Sequence, residues 1–553
     1  MRERENSLRL NRIRWLIYAL MIGGCVFALY FIGLGSYPLV DPTEPVYGQV
    51  AKEMASGGSW LTPHYGGKIW FDKPPLFYWF SGLSVSYLGP TELGIRLPSA
   101  ILATGLLLLT FGLVSYDFGR RTGFFSAAVM ATCLQQIILA RAAVTDMALV
   151  FCLTAALYAY RRWVGAIEGS RLRWAVLCGA MAGLGMLTKG PIAPVLLMIA
   201  FLIHLGWCSR LKRMMSLEVL AGILAFLLVG LPWYIAMLLK HGDLFIRDFI
   251  LANNVHRFLQ PEHISETGGW TSYLRNIPVL VAFFFPWSIF LPQALARHWR
   301  SNDGAKLATV WMAVVFIFFS ISKTQLVTYI FPLYPCAALF VGNLWSLATI
   351  QEPKETRGIR AGLWVGLIIS LGIGGVLWKV SREQYPEAGY GGLVLGGILI
   401  FSFILAIFWM RQKRPARTEK VFGVFNVGMI ILVLYIVFGI MPLITERVSA
   451  RGLVLHIPPG KETRVVAYRL ADPRYILDPR SLLFYLPQPP EQTGSPERVN
   501  QWLAVGTPVW VITRHPDETY IAVSGLSQRK FGNLILLANG AAQSVKGEKL
   551  NGP

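Results

Sequence analysis

The chain has 553 residues, of which 54% are hydrophobic and only 15% charged, and its mean hydropathy is +0.50. Runs of about 20 apolar residues recur along most of its length, and such runs read as membrane-spanning helices. This excludes a water-soluble enzyme, a fibrous protein and a disordered chain. The net charge of +21, from 51 Lys and Arg against 30 Asp and Glu, would suggest nucleic acid in a soluble protein. In a membrane protein the same excess belongs to cytoplasmic connections, so nucleic acid is not expected as a partner and membrane lipid is.

The N-terminal tail carries Arg2, Arg4, Arg9, Arg12 and Arg14 ahead of the first apolar run. That run lacks a convincing small-residue cleavage site and reads as an uncleaved first span. Thirteen spans are expected, at 15–34, 93–115, 122–140, 145–160, 174–188, 191–208, 217–239, 276–296, 307–321, 326–348, 361–379, 392–410 and 421–443. Every second connection is basic: Arg120-Arg121, then Arg161, Arg162, Arg171 and Arg173, then Arg210, Lys212 and Arg213, and so on to Arg411–Lys420. The positive-inside rule makes these cytoplasmic, places the N-terminus inside and, with an odd count, puts the C-terminal region outside. Cys25, Cys133, Cys152, Cys178, Cys208 and Cys336 lie in or beside apolar runs without metal-ligand spacing, so neither a disulfide framework nor a zinc site is implied.

The expected fold is therefore a mostly α, polytopic membrane protein of about 13 transmembrane helices, with interfacial helices in the first outer loop and a small C-terminal α/β extracytoplasmic domain. Residues 1–443 form the transmembrane part, with 35–92 and 240–275 as its long outer loops. Residues 444–553 form the tail domain, with strands near Thr463–Tyr468 and Pro508–Thr513 and a helix near Pro496–Leu503. Span interiors are almost free of charge, with Arg96 and Asp146 near predicted ends. A transporter would carry ionisable residues at mid-depth. The polar residues here gather on the outer face, which favours an enzyme acting on a lipid-borne reactant.

The first outer loop reads VDPTEPVYGQVAKEMASGGSWLTPHYGGKIWFDKPPLFYWF. Asp41 and Glu44 precede a helical stretch, Val46 to Ala55, that stops at Gly57-Gly58. Asp72-Lys73-Pro74-Pro75 leads into Phe77, Tyr78, Trp79 and Phe80, an aromatic run suited to headgroup depth. Asp41 and Glu44 can also be read as a capping box, with Pro42 at the first helical position, although Pro45 removes a backbone donor there. Lys73 can be read as a lysine snorkelling beside an aromatic belt, or as a cation held where a lipid phosphate would bind.

The pattern D-P-T-E-x-x-Y, then E-M, W-x-x-P and D-K-P-P, on a loop between the first two spans, resembles the bacterial polyprenyl-phosphate-dependent glycosyltransferases. These are integral-membrane enzymes of the C fold that include the aminoarabinose transferases of lipid A, with protein O-mannosyltransferases as relatives. The resemblance implies a catalytic carboxylate in the first outer loop. The family's adjacent Asp-Glu pair is Thr43-Glu44 here, with the aspartate two residues earlier, so the general base is Asp41 or Glu44. It further implies an acidic residue at the outer end of a later span, matched by Asp146. For the donor phosphate it implies Lys73, Arg257 in NNVHRF and Tyr329 in TYIFPLYP, with Lys323 as an added candidate. Some members imply a divalent cation, for which Asp72, His256 and His263 would be the ligand candidates.

The implied reaction is an inverting transfer of a sugar from undecaprenyl phosphate to an envelope acceptor, lipid A or a related glycolipid, at the bacterial inner membrane. The alternatives are a protein O-glycosyltransferase and a non-catalytic polyprenol-lipid transporter.

Overall fold

The structure, a computed structural model, describes residues 20, 22–256, 274–350, 353–412, 417–458, 463–472 and 476–545. These fold into two compact units. The first draws on the described residues of 1–32, 71–77 and 97–436, and the second on those of 33–70, 78–96 and 437–553. Most of the first long loop falls in the second unit, with the described residues after 436.

The first unit is helical throughout its regular structure. Among the described residues of the whole chain, seven helices are long and apolar enough to cross a membrane, or up to nine if each of two bent pairs is one span. Thirteen were expected, and the helices outside these seven are bent, short or less apolar, such as Glu168–Lys189. Glu92–Thr132 breaks at Gly119, whose φ of 83° and ψ of 161° are not helical, within the connection expected between spans 93–115 and 122–140. Leu134–Ala140 and Thr145–Gly165 meet at 115°, and Asn276–Phe283 and Trp287–His298 at 113°. Ile22–Phe31 and Ile192–Trp207 are apolar but short. A lipid environment offers the backbone no hydrogen-bond partners, so a chain of this composition closes its N–H and C=O groups within helices.

Helices Glu168–Lys189 and Leu217–His241 approach closely through glycine. A Cβ on Gly179 would lie 1.8 Å from the Gly222 carbonyl oxygen, and one on Gly222 would lie 2.8 Å from that of Ala175. Small residues permit such backbone approach where no hydrophobic effect drives helices together. Two ion pairs tie distant segments of this unit: Arg161 meets Asp117 at 2.5 Å, joining two helices, and Arg210 meets Asp303 at 2.6 Å. Aromatic packing fills the space around Trp287, which stands perpendicular to Trp345 at 6.0 Å and lies 5.0 Å from Phe422.

The second unit holds a five-stranded mixed sheet. Its order is Glu491–Thr493, Arg464–Tyr468, Val509–Arg514, Leu534–Ala538, Ser527–Phe531. The first three strands run parallel and the last two pairings are antiparallel. Alternate residues Val466 and Tyr468, Val509 and Val511, and Ile535 and Leu537 share one face. Helix Pro496–Ala504 covers it with Val499 and Leu503, four positions apart on one helical stripe. That helix starts where Ser495 accepts the Arg498 amide, with Pro496 following.

The first-loop part of this unit begins with helix Glu44–Ala55, which buries Val46, Val50 and Met54 on one stripe. A two-stranded hairpin, His64–Tyr65 with Lys68–Ile69, follows. Lys52 donates to the carbonyl of Phe484 at 2.7 Å, and the Tyr485 hydroxyl accepts from the Leu39 amide at 2.8 Å. Those contacts explain why 33–70 clusters with the C-terminal residues.

The glycine crossing yields a direct test. Gly179→Leu would force helices Glu168–Lys189 and Leu217–His241 apart. It should lower the thermal unfolding midpoint in detergent by several degrees, whereas Gly169→Leu, where a Cβ meets nothing within 4 Å, should leave it nearly unchanged.

Candidate functional site

A cavity of about 320 Å³ opens in the first unit. Its polar lining comes from separate stretches of chain and includes Lys73, Asp146, Lys189, Asn253 and Tyr329. The walls are otherwise apolar, from residues such as Leu149, Ile192, Val195 and Phe318. A concave, mostly apolar site with a few convergent polar groups is the usual form of a small-molecule or lipid-headgroup pocket.

Each polar group is positioned by its local structure. Lys73 lies just before helix Leu76–Leu88, paired with Asp72 at 3.1 Å. The stretch before it is held from the 246–256 helix, where the Asn253 side chain donates to the Phe71 carbonyl at 3.0 Å. The Phe71 ring meets Phe245 edge-on at 5.1 Å. Asp146 sits in the first turn of helix Thr145–Gly165, and Lys189 is the last residue of helix Glu168–Lys189. They form an ion pair at 2.7 Å with side chains 14% and 15% exposed. A carboxylate at a helix start and an ammonium at a helix end both complement the helix dipole. The Lys189 Nζ also lies 5.1 Å from the centre of the Tyr329 ring, so Lys189 bridges an anion and an aromatic face.

Three of the residues expected from sequence, Lys73, Asp146 and Tyr329, thus line one cavity. Lys323 is exposed and is not among its lining residues. Arg257 and His263 lie outside the described residues. Lys189 is the charged lining residue that sequence reading did not select. Its signal was a lysine at an expected outer connection, against the pattern that placed basic residues in the other set of connections.

The two first-loop carboxylates have different surroundings. Neither caps a helix: the helix starts at Glu44 behind Thr43, with no side-chain cap. Glu44 is buried, and both its oxygens accept from Arg96, at 2.9 Å from Nε and 2.7 Å from Nη2. Arg96 is fully buried. Its other donors reach the carbonyls of Leu34, Tyr37 and Pro38 at 2.7–3.1 Å, and its guanidinium stacks on the Tyr37 ring at 4.0 Å. Asp41 is half-buried. Its Oδ1 accepts from the Ser481 amide at 3.0 Å and its Oδ2 accepts from the Ser481 hydroxyl. Burial raises the Asp41 carboxyl to about 6, against the opposing pull of the Ser481 hydrogen bonds and with a further push from Asp478.

Among the described residues, no group of three or more His, Cys, Asp or Glu could hold a metal ion. Of the ligand candidates, Asp72 is engaged by Lys73 and His256 is exposed. The described donor set does not fit a divalent cation.

Glu44 and Arg96 are testable as a pair. Removing one partner leaves a buried charge uncompensated, so Arg96→Met should cost about 3–5 kcal/mol. The double replacement Arg96→Met with Glu44→Leu should recover much of that loss. Denaturation of the three proteins in the same detergent checks it.

A family model described as dolichyl-phosphate-mannose-protein mannosyltransferase matches residues 72–235. The undecaprenyl phosphate-α-4-amino-4-deoxy-L-arabinose arabinosyl transferase of Aeromonas hydrophila is 30% identical over 404 residues, covering 70% of this chain and 71% of that one. The enzyme of the same name from Pseudomonas aeruginosa is 29% identical over 410 residues, covering 73% and 67%. The crystal structure of ArnT from Cupriavidus metallidurans bound to undecaprenyl phosphate superposes with a TM-score of 0.78 at 19% identity, covering 97% of this chain and 99% of that one. Its apo form gives 0.79, so the fold is shared over nearly the whole length. The chain belongs to the undecaprenyl phosphate-α-4-amino-4-deoxy-L-arabinose arabinosyl transferase family of multi-pass membrane glycosyltransferases.

Proposed function

We propose that this protein transfers 4-amino-4-deoxy-L-arabinose from undecaprenyl phosphate to lipid A or a closely related glycolipid, with inversion at the anomeric carbon. The observation that carries the proposal is the convergence of Lys73, Lys189 and Tyr329 on one cavity with apolar walls. Such a cavity suits a phosphate group with a hydrocarbon tail. The names of the relatives supply the sugar and the lipid carrier. Membership in a transferase family removes the transporter reading.

In the reaction the bond between the anomeric carbon and a phosphate oxygen breaks, and negative charge grows on the departing phosphate. Preorganised cations and a hydroxyl are worth most where charge develops. Lys73, Lys189 and Tyr329 take that role, and Arg257 is proposed beside them. The acceptor hydroxyl attacks the opposite face of the sugar and loses its proton to a carboxylate. What supports Asp41 over Glu44 as that base is hydrogen bonding: the Arg96 guanidinium engages both Glu44 oxygens, whereas Asp41 is half-buried and accepts only neutral donors in its hydrogen bonds. Asp146 holds Lys189 and orients donor or acceptor. One displacement inverts the centre, with no sugar–enzyme intermediate. With this reading go thirteen crossings of the inner membrane, an N-terminus in the cytoplasm, and residues 444–553 in the periplasm as an α/β domain.

The experiment is transfer by the purified protein from synthetic undecaprenyl phosphate-aminoarabinose to lipid A, read as the mass of the product. Transfer to protein Ser or Thr with none to lipid A would favour the mannosyltransferase-type alternative that the match over residues 72–235 raises.

Lys73→Ala and Lys189→Ala should each weaken undecaprenyl phosphate binding about 10- to 100-fold, the worth of a hydrogen bond to a charged group. Asp41→Asn should abolish turnover while leaving that binding within about twofold of wild type. Since Asp41 must be ionised to accept a proton, kcat/KM should rise with pH through an apparent pKa of about 6 and fall away below it. A pH–rate profile in detergent measures this directly.

A further inference from the structure

We infer that Ser481, 440 residues along the chain from Asp41, is a positioning residue for that base, so that the C-terminal residues complete the catalytic carboxylate. The inference rests on the proposal that Asp41 takes the acceptor's proton.

Ser481 engages both carboxylate oxygens at once. Its amide donates to Oδ1 at 3.0 Å and its hydroxyl donates to Oδ2. The direction of the hydroxyl proton is fixed, because the same oxygen accepts from the Ala450 amide at 2.9 Å and so has its one proton free for Asp41. Ser481 is fully buried, so its two donors have no bulk water to turn to instead. Two flanking bonds hold the backbone around Asp41. Its amide donates to the Val448 carbonyl at 2.9 Å, and Arg480 donates to the Pro42 carbonyl at 3.0 Å. A carboxylate has about four acceptor directions. Ser481 uses two and leaves the others for an incoming hydroxyl.

The same contacts tune the proton affinity. Burial raises the Asp41 carboxyl, and the two Ser481 bonds are the largest opposing effects. The charged groups near it are Asp478, which raises it, and Arg480, which lowers it. Glu44 on the following helix is committed to Arg96, and Arg447 precedes the Val448 carbonyl in the chain. Without the Ser481 hydroxyl the base would stay protonated to higher pH.

The test uses the full-length protein and the pH dependence of kcat/KM with the undecaprenyl phosphate sugar donor. Ser481→Ala should move the acid limb upward by about one pH unit, since a hydrogen bond to a charged group shifts a pKa by about that much. Ser481→Thr, which keeps the hydroxyl, should bring the limb back toward wild type. A limb that stays in place in Ser481→Ala overturns the inference even if the rate drops, because a purely structural role lowers the rate without moving the limb. Should Ser481→Ala fail to fold, Ser481→Cys, a weaker donor of similar size, carries the same readout. Asp41→Asn separates the two claims. If it is inactive while the Ser481→Ala limb is unmoved, only the positioning role falls. If it keeps near wild-type turnover, the base assignment falls and this inference falls with it.

Discussion

A charge taken out of water must meet its opposite or be neutralised, and that constraint organises this protein. The Born cost of an unpaired ion in a low-dielectric medium is prohibitive. The helical unit meets the cost with pairs that join helices: Arg161 with Asp117, and Lys189 with Asp146. The second unit meets it by sealing Glu44 against Arg96, whose remaining donors reach three backbone carbonyls. Each pair fixes the separation of two chain segments as well as balancing charge.

The pairs differ in what they leave available. Glu44 and Arg96 satisfy each other so fully that the pair acts as a structural pin. Lys189 and Asp146 are also in contact, yet both line the cavity and remain partly exposed. An anionic ligand there would compete with Asp146 for the same ammonium. Lys73 stands in the same relation to Asp72. A pocket whose cations are held by weakly shielded carboxylates is preorganised without being neutral in function, since the ammonium groups are already where a phosphate needs them.

Much of this was legible in the sequence because it follows from short-range patterns. The helix at 44–55 and its end before Gly57-Gly58, the strands at 464–468 and 509–514, and the helix at 496–504 all follow local periodicity and punctuation. Lys73, Asp146 and Tyr329 were selected by motif and share a cavity. Less legible was the 113° bend between Asn276–Phe283 and Trp287–His298, because a run of apolar residues looks the same whether it is straight or folded. Spacing also suggested a capping box for Asp41 and Glu44. It could not reveal that Arg96 and Ser481, 52 and 440 positions away, would claim those carboxylates instead.

Composition and periodicity alone determined that the chain is a helical membrane protein, since about 20 apolar residues in a row leave the backbone no other way to satisfy its hydrogen bonds. The first-loop motif determined the family. Only the tertiary structure decided which carboxylate is locked and which stays partly open, that Lys189 joins the cavity, and that a serine near the far end of the chain grips Asp41. Those outcomes depend on which distant segments come within hydrogen-bond reach, about 3 Å, and no local pattern encodes such a distance.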